Sequence, residues 1–196
     1  MLLGTGSRIT AMDHLDIDEA RTWDFGEGVD YRSLRDVLGL QHLAINRYRL
    51  SPATRLPWGL HAHFDQEEVF LVVKGTMVFD TLDGPVTVEA GEAIRFAPGD
   101  FQAGHNPGDD PAECFAIGAP PDSEDIRIPK PCASCGAPAL TITMDADELT
   151  CPACGTATPA SCIRCGEDAR EIRIEDGTLV DRCRACDDRE PIQRTS

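Results

Sequence analysis

Nine cysteines and one His-x-His pair carry most of the chemistry this sequence can perform. Eight of the cysteines form four Cys-x-x-Cys pairs, at 132/135, 151/154, 162/165 and 183/186. Two thiolates two residues apart grip one face of a tetrahedral ion, and a second such pair closes the other face. The intervening stretches, 136–150 and 166–182, each suit a short hairpin that returns one pair to the other. The two units also repeat each other, CASCGAPALTITMDADELTCPAC followed by CIRCGEDAREIRIEDGTLVDRCRAC. In each, an alternating run (Leu140–Met144, Glu171–Ile174) meets an acidic turn at Asp145–Asp147 or Asp176-Gly177. Zinc on Cys132, Cys135, Cys151 and Cys154, and a second zinc on Cys162, Cys165, Cys183 and Cys186, satisfies this pattern. Disulfides, redox dithiols and a cross-braced site sharing alternate pairs are the alternatives. Evenly built pairs and the internal repeat favour metal, with one ion per repeat. Cys114, the ninth, lies in a strand-like run and reads as a small buried hydrophobe.

His61-Ala62-His63 sets two imidazoles on one side of an extended strand, and Glu67 and Glu68 follow closely. Two imidazoles and a carboxylate can hold a divalent first-row metal with positions left open. By itself His-x-His is a weak signal. From about residue 43 to 118, however, the chain resembles the cupin family. That family's first motif, G-x5-H-x-H-x(3,4)-E-x6-G, is present as His61-x-His63-x4-Glu68-x6-Gly75, with Arg55 where the leading glycine belongs. Its second, G-x5-P-x-G-x2-H-x3-N, is present as Gly91, Ala97, Gly99, Gln102 and Asn106, the proline displaced to Pro98. The spacing to Gly75 selects Glu68 over Glu67. Gln102 stands where the family has its fourth ligand, a histidine. His105 lies three residues further on and is expected on the opposite face of its strand, unless a bulge turns it inward.

The resemblance implies a jelly-roll barrel holding Fe2+, Mn2+, Ni2+ or Zn2+ on His61, His63, Glu68 and Gln102. It also implies a small-molecule substrate and metal-assisted oxygenation or isomerisation. Losing one imidazole weakens such a site, so a metal-free pocket edged by Trp58, His61, His63, Glu68 and Gln102 is the alternative. A ligand-sensing protein, with the barrel as receptor and the cysteine modules as output, is a further one. Ribbons that only cap the barrel are another.

The elements that must position these residues are short strands. Leu43–Leu50, Val69–Val73, Thr76–Phe79, Val86–Val88, Ala93–Phe96 and Cys114–Ile117 are punctuated by Gly, Pro and Asp, with a turn at Asp83-Gly84. The expected fold is all-β, a jelly-roll barrel over 43–118 followed by two small modules, 132–154 and 162–186, that resemble zinc ribbons. Residues 1–42 form an acidic extension partly joining the barrel, 119–131 a Pro-rich linker, and Gly155–Ser161 a spacer between the modules. His14 and His42 stand alone, with surface or packing roles.

Composition adds a bound. With 34 acidic and 18 basic residues the net charge is −16, and Lys74 and Lys130 are the only lysines. Acid spread over the whole chain suggests a halophile's solvated surface and disfavours unspecific contact with phosphate backbones. The second module and its tail carry Arg164, Arg170, Arg173, Arg182, Arg184, Arg189 and Arg194, so a protein or nucleic-acid partner is conceivable there. The resemblance to cupins, whose barrels often pair through edge strands, implies a homodimer. No membrane span or signal peptide is apparent, Met12 offers an alternative start, and a cytoplasmic protein is expected.

Overall fold

The computed structural model describes residues 14–142 and 148–193. Met12, the Thr143–Met144 end of the first alternating run, the acidic turn Asp145–Asp147 and Arg194 lie outside them. Among the described residues the regular structure is strand, apart from one 3-10 turn at Ile17–Glu19. No helix there is long and apolar enough to cross a membrane.

In chain order the strands are β1 (Val29–Ser33), β2 (Ala44–Leu50), β3 (Ala62–His63), β4 (Glu67–Lys74), β5 (Thr76–Thr81), β6 (Gly84–Glu89), β7 (Ala93–Phe96) and β8 (Gln102–His105). They continue with β9 (Ala112–Ala119), β10 (Ile126–Ile128), β11 (Leu140–Ile142), β12 (Glu148–Thr150), β13 (Ala157–Pro159), β14 (Arg170–Glu175), β15 (Thr178–Cys183) and β16 (Arg189–Pro191). One sheet runs β1-β2-β9-β4-β7 and another β6-β5-β8, all antiparallel. Between them lies an apolar core of Leu50, Phe70, Val72, Met77, Phe79, Val88, Phe96, Ala112, Cys114 and Ala116. Period-2 alternation drives this: in β9 every second residue, from Ala112 to Gly118, is buried. Cys114 is one of them and is fully enclosed. Gly75 closes the β4–β5 turn at φ +71°, where a Cβ would sit 3.0 Å from the Ala112 backbone. The acidic extension joins the barrel through β1, and buried Arg47 binds its Asp18 and Asp30.

The segment expected as a bare linker contributes a strand. β10 pairs with β3 on one side and β11 on the other, giving a sheet of order β13-β12-β11-β10-β3. The first cysteine unit therefore extends a barrel edge instead of hanging from it. The spacer 155–161 likewise holds β13, a third strand on β12. The second unit has the same plan, with β16 on β15 and the Asp176-Gly177 turn between β14 and β15. Both residues of that turn have positive φ, as a two-residue hairpin of type I′ requires.

A second apolar core joins the parts. Leu60 and Ala103 of the barrel pack with Ile128, Cys132, Leu140, Leu149, Cys151, Ile172 and Leu179. Alternation along the strand explains the division of labour. Leu60 and Ala62 turn outward and are covered, while His61 and His63, one residue out of phase, turn the other way.

Candidate metal centres

The eight paired cysteines gather into two groups, 132/135/151/154 and 162/165/183/186, each drawn from one sequence repeat. In both, the four sulfurs lie within 4.8 Å of one another. Sulfur–sulfur distances between pairs are 3.7 and 3.6 Å in the first group, and 3.8 and 3.6 Å in the second. Four sulfurs about 2.3 Å from a central ion form a tetrahedron with edges of about 3.8 Å, whereas a disulfide is about 2.05 Å long. The cysteines are free thiols, and the donor set fits a tetrahedral metal.

Each Cys-x-x-Cys pair is built by the same turn. The amide after its second cysteine donates to the carbonyl of the first: Gly136 to Cys132, Gly155 to Cys151, Gly166 to Cys162 and Asp187 to Cys183. These four residues all have positive φ, 76°, 72°, 77° and 55° in the same order, so glycine is favoured and Asp187 is the exception. The turn aims amides at sulfur. The amides of Cys165 and Arg164 hold the Cys162 thiol down to about 6, and the Thr156 hydroxyl and amide do the same for Cys154. Arg170 donates from Nη1 to Cys162 Sγ at 3.6 Å and from Nε to Asp181 Oδ1 at 2.6 Å. Such outer contacts stabilise thiolate charge.

The barrel set is His61 just before β3, His63 at the end of β3, Glu68 on β4 and Gln102 on β8. His61 Nδ1 is 3.0 Å from the Gly59 carbonyl, so Nδ1 carries the proton and Nε2 keeps its lone pair. That Nε2 is 3.4 Å from Gln102 Nε2, which also donates to Glu68 Oε2 at 3.1 Å. His63 Nε2 lies 3.9 Å from the same carboxylate oxygen. His105, by contrast, lies 3.7 Å from Asp80 and contacts none of these groups. Asn106 is structural: its amide donates to the carbonyls of Leu50, Ser51 and Asp110 and accepts from the Gly108 amide. Trp58 lines a cavity of about 630 Å³ between the 54–58 loop and the cysteine hairpins, whose lining includes none of His61, His63, Glu68 and Gln102.

Burial controls the charges here. It raises Glu68 to about 7, lowers His63 to about 4 and lowers His61. The Glu68 carboxyl group thus sits among neutral imidazoles and an amide, and no cationic side chain among the described residues pairs with it. Buried His63 Nδ1 and Gln102 Oε1 have no hydrogen-bond partner. The donor types fit a divalent cation: the Gln102 amide nitrogen lies between His61 Nε2 and Glu68 Oε2, and His63 Nε2 approaches the same carboxylate oxygen. A half-turn of that amide would present its unpartnered oxygen instead. The set is looser than the cysteine groups, which alone among the described residues bring three or more ligand atoms within 4.8 Å.

Comparison with known proteins bears on the barrel. Residues 46–118 match the family model described as Cupin domain. The match supports the cupin part of the chain and covers the span from β2 to β9. Among solved structures, the chain is similar to a sugar phosphate isomerase of the cupin superfamily from Silicibacter pomeroyi DSS-3. Identity is 21%, the TM-score 0.51, and the alignment covers 74% of this chain and 92% of that one. An uncharacterized conserved protein with a double-stranded β-helix domain from Klebsiella pneumoniae is 17% identical, with TM-score 0.46 and coverage of 61% and 95%. A predicted oxalate decarboxylase from Thermotoga maritima is 22% identical, with TM-score 0.42 and coverage of 46% and 79%. At 21% identity the likeness to the Silicibacter pomeroyi protein shows the fold alone. No curated protein matches the chain.

Two residues that support the His61 imidazole escaped sequence reasoning. Gly59 supplies the carbonyl that sets the His61 tautomer, and Ile172, far along the chain, supports it. A glycine two residues before the first histidine was the only available signal.

Proposed function

We propose that the cupin barrel binds one divalent metal ion on His61, His63 and Glu68, with Gln102 as a neutral fourth partner. There it would act on a small molecule, while the two cysteine groups hold structural zinc. The supporting observation is a run of contacts: the Gln102 amide nitrogen lies 3.4 Å from His61 Nε2 and donates to Glu68 Oε2, itself 3.9 Å from His63 Nε2, and no cationic side chain among the described residues pairs with that carboxyl group. When bound, the metal would supply Lewis acidity to a substrate oxygen. His61 and His63 stay neutral and hold their lone pairs inward, and Gln102 offers an amide to the metal or the substrate. The neighbour from Silicibacter pomeroyi described as a sugar phosphate isomerase puts isomerisation of small sugars or acids first among reactions to screen, ahead of oxygenation.

The deciding experiment is metal analysis of protein purified in high salt without chelator, beside a His61→Ala/His63→Ala variant. Two zinc per chain plus a third ion lost in the variant is the expected result. Two zinc and nothing more in both proteins would overturn the barrel site.

A second reading, a non-enzymatic ligand sensor or scaffold, draws support from the cavity of about 630 Å³ where barrel and hairpins meet. A nucleic-acid partner draws less. Arg164, Arg170, Arg173, Arg182 and Arg189 are each engaged by carboxylates, leaving Arg184 without an ion pair among the described residues.

A further inference from the structure

We infer that the second cysteine hairpin is a positioning element for His61, so that loading of Cys162, Cys165, Cys183 and Cys186 with metal sets how this barrel imidazole is held. The inference rests on reading that cysteine group as a metal site, and a continuous series of contacts carries it. Arg170 ties Cys162 to Asp181, which is almost fully buried and also binds Lys130 at 2.6 Å. In the β14–β15 register, Arg170 lies opposite Cys183 and Ile172 opposite Asp181. These contacts fix the height of β14 over the barrel.

At that height the Ile172 carbonyl accepts from the Leu60 amide at 2.7 Å. The approach is so close that a Cβ on Gly59 would lie 2.8 Å from the Ile172 oxygen and 3.1 Å from Glu171 Cβ. Gly59 also has φ +64°, which a side chain disfavours. Pressed against β14 in this way, Gly59 turns its own carbonyl to His61 Nδ1, while the His61 amide donates to the Gln102 carbonyl at 3.1 Å. The tautomer with the proton on Nδ1 follows, and with it the lone pair on Nε2 that faces Gln102 and Glu68. A tetrathiolate module of this size depends on its metal to fold. Emptying it releases Ile172, then the 59–60 peptide, then the imidazole. The first hairpin stands in a parallel relation to the other histidine, since β11 pairs with β10 and Ile126 of β10 lies opposite His63.

The test uses the full chain labelled with 15N in its histidine rings, His61 being assigned with His61→Gln. Cys165→Ser/Cys186→Ser empties the second site, and zinc content reports whether it has. Cys135→Ser/Cys154→Ser does the same for the first. The expected result is that emptying the second site changes the His61 ring pattern from the Nδ1-protonated tautomer to a mixture. Hydrogen-exchange protection of the Leu60 amide should fall by about tenfold or more. Emptying the first site should leave the His61 pattern in place. Gly59→Ala, which keeps all eight cysteines, should alter the His61 tautomer while zinc content is unchanged. This variant keeps the test alive if the cysteine variants unfold. An unaltered His61 pattern in Gly59→Ala, or in a folded protein whose second site is empty, would overturn the positioning role. Wild-type protein without zinc would instead overturn the metal reading of the cysteines, and the inference with it.

Discussion

Glu68 and His63 are partly buried side by side, and their titrations oppose each other. Glu68 rises from 4.5 to about 7, so between these values the native state holds more protons than the unfolded chain and stability falls as pH increases. His63 falls from 6.5 to about 4, so between these values the unfolded chain holds more protons and stability grows with pH. Each limb has a slope of up to about 1.4 kcal/mol per pH unit, and over the shared window they largely offset. His61, also lowered by burial, adds to the histidine limb. With the cysteine groups loaded and no metal in the barrel, Glu68→Gln should become progressively more stable relative to wild type from pH 4.5 to 7. His63→Gln should become progressively less stable relative to wild type from pH 4 to 6.5. Urea unfolding at half-unit pH steps measures both differences, in which the thiolate sites, common to all three proteins, drop out. Parallel pH profiles for wild type and variants would mean that the pocket is wetter than its packing implies.

At the scale of elements, the repeated Cys-x-x-Cys turn is the unit that builds the thiolate groups. Gly166 has φ +77° and open space where a Cβ would be, so a substitution there is penalised by backbone strain alone. Gly166→Val should cost about 1–3 kcal/mol, because a β-branched residue tolerates this region worst, and it should lower zinc affinity at the second group. Asp187→Gly relieves a similar strain but removes contacts of an exposed carboxylate to Arg182 and Arg189, so its stability should stay within about 1 kcal/mol of wild type. A zinc titration against a chromophoric chelator separates the two outcomes. The elements were unevenly legible. Long strands such as β4 and β9 carry alternating apolar residues, and the barrel strands expected from sequence lie within or close to those observed. β3 has two residues, and β8 reads Gln-Ala-Gly-His, too short and too polar to signal a strand. β13 and β16 end in proline at sheet edges, where backbone pairing alone makes the strand. For the barrel, spacing singled out His61, Glu68 and Gln102, which lie in contact, and His63, 3.9 Å from Glu68. It could not reveal the Gly59 carbonyl or the Ile172 contact, because those depend on how a distant hairpin docks.

For the whole molecule, the question is whether the barrel can stand without its cysteine hairpins. Leu60 has no exposed surface and Ala62 almost none, yet both face away from the barrel interior toward β10 and the hairpins. Removing everything after Pro121 would uncover Leu60, Ala62 and Ala103, together with the partly buried Phe101 and Leu82 that pack beside them. It would also strip β3 of its partner, since Arg127 and Ile126 pair with Ala62 and His63. Burial of Leu60 alone is worth about 2 kcal/mol, and an unpaired strand edge beside fresh apolar surface invites association between copies. The shortened chain should therefore aggregate or melt well below the full-length protein. Leu60→Ser in the shortened chain should recover solubility by blunting the new patch, without restoring the melting temperature. The same substitution in the full-length chain should be destabilising by about 3 kcal/mol, because there it empties the shared core. Light scattering and thermal unfolding of these three proteins test the dependence directly. A shortened chain that stays monodisperse and melts with the full-length protein would make the hairpins an independent module, and the shared core a contact that the barrel does not need.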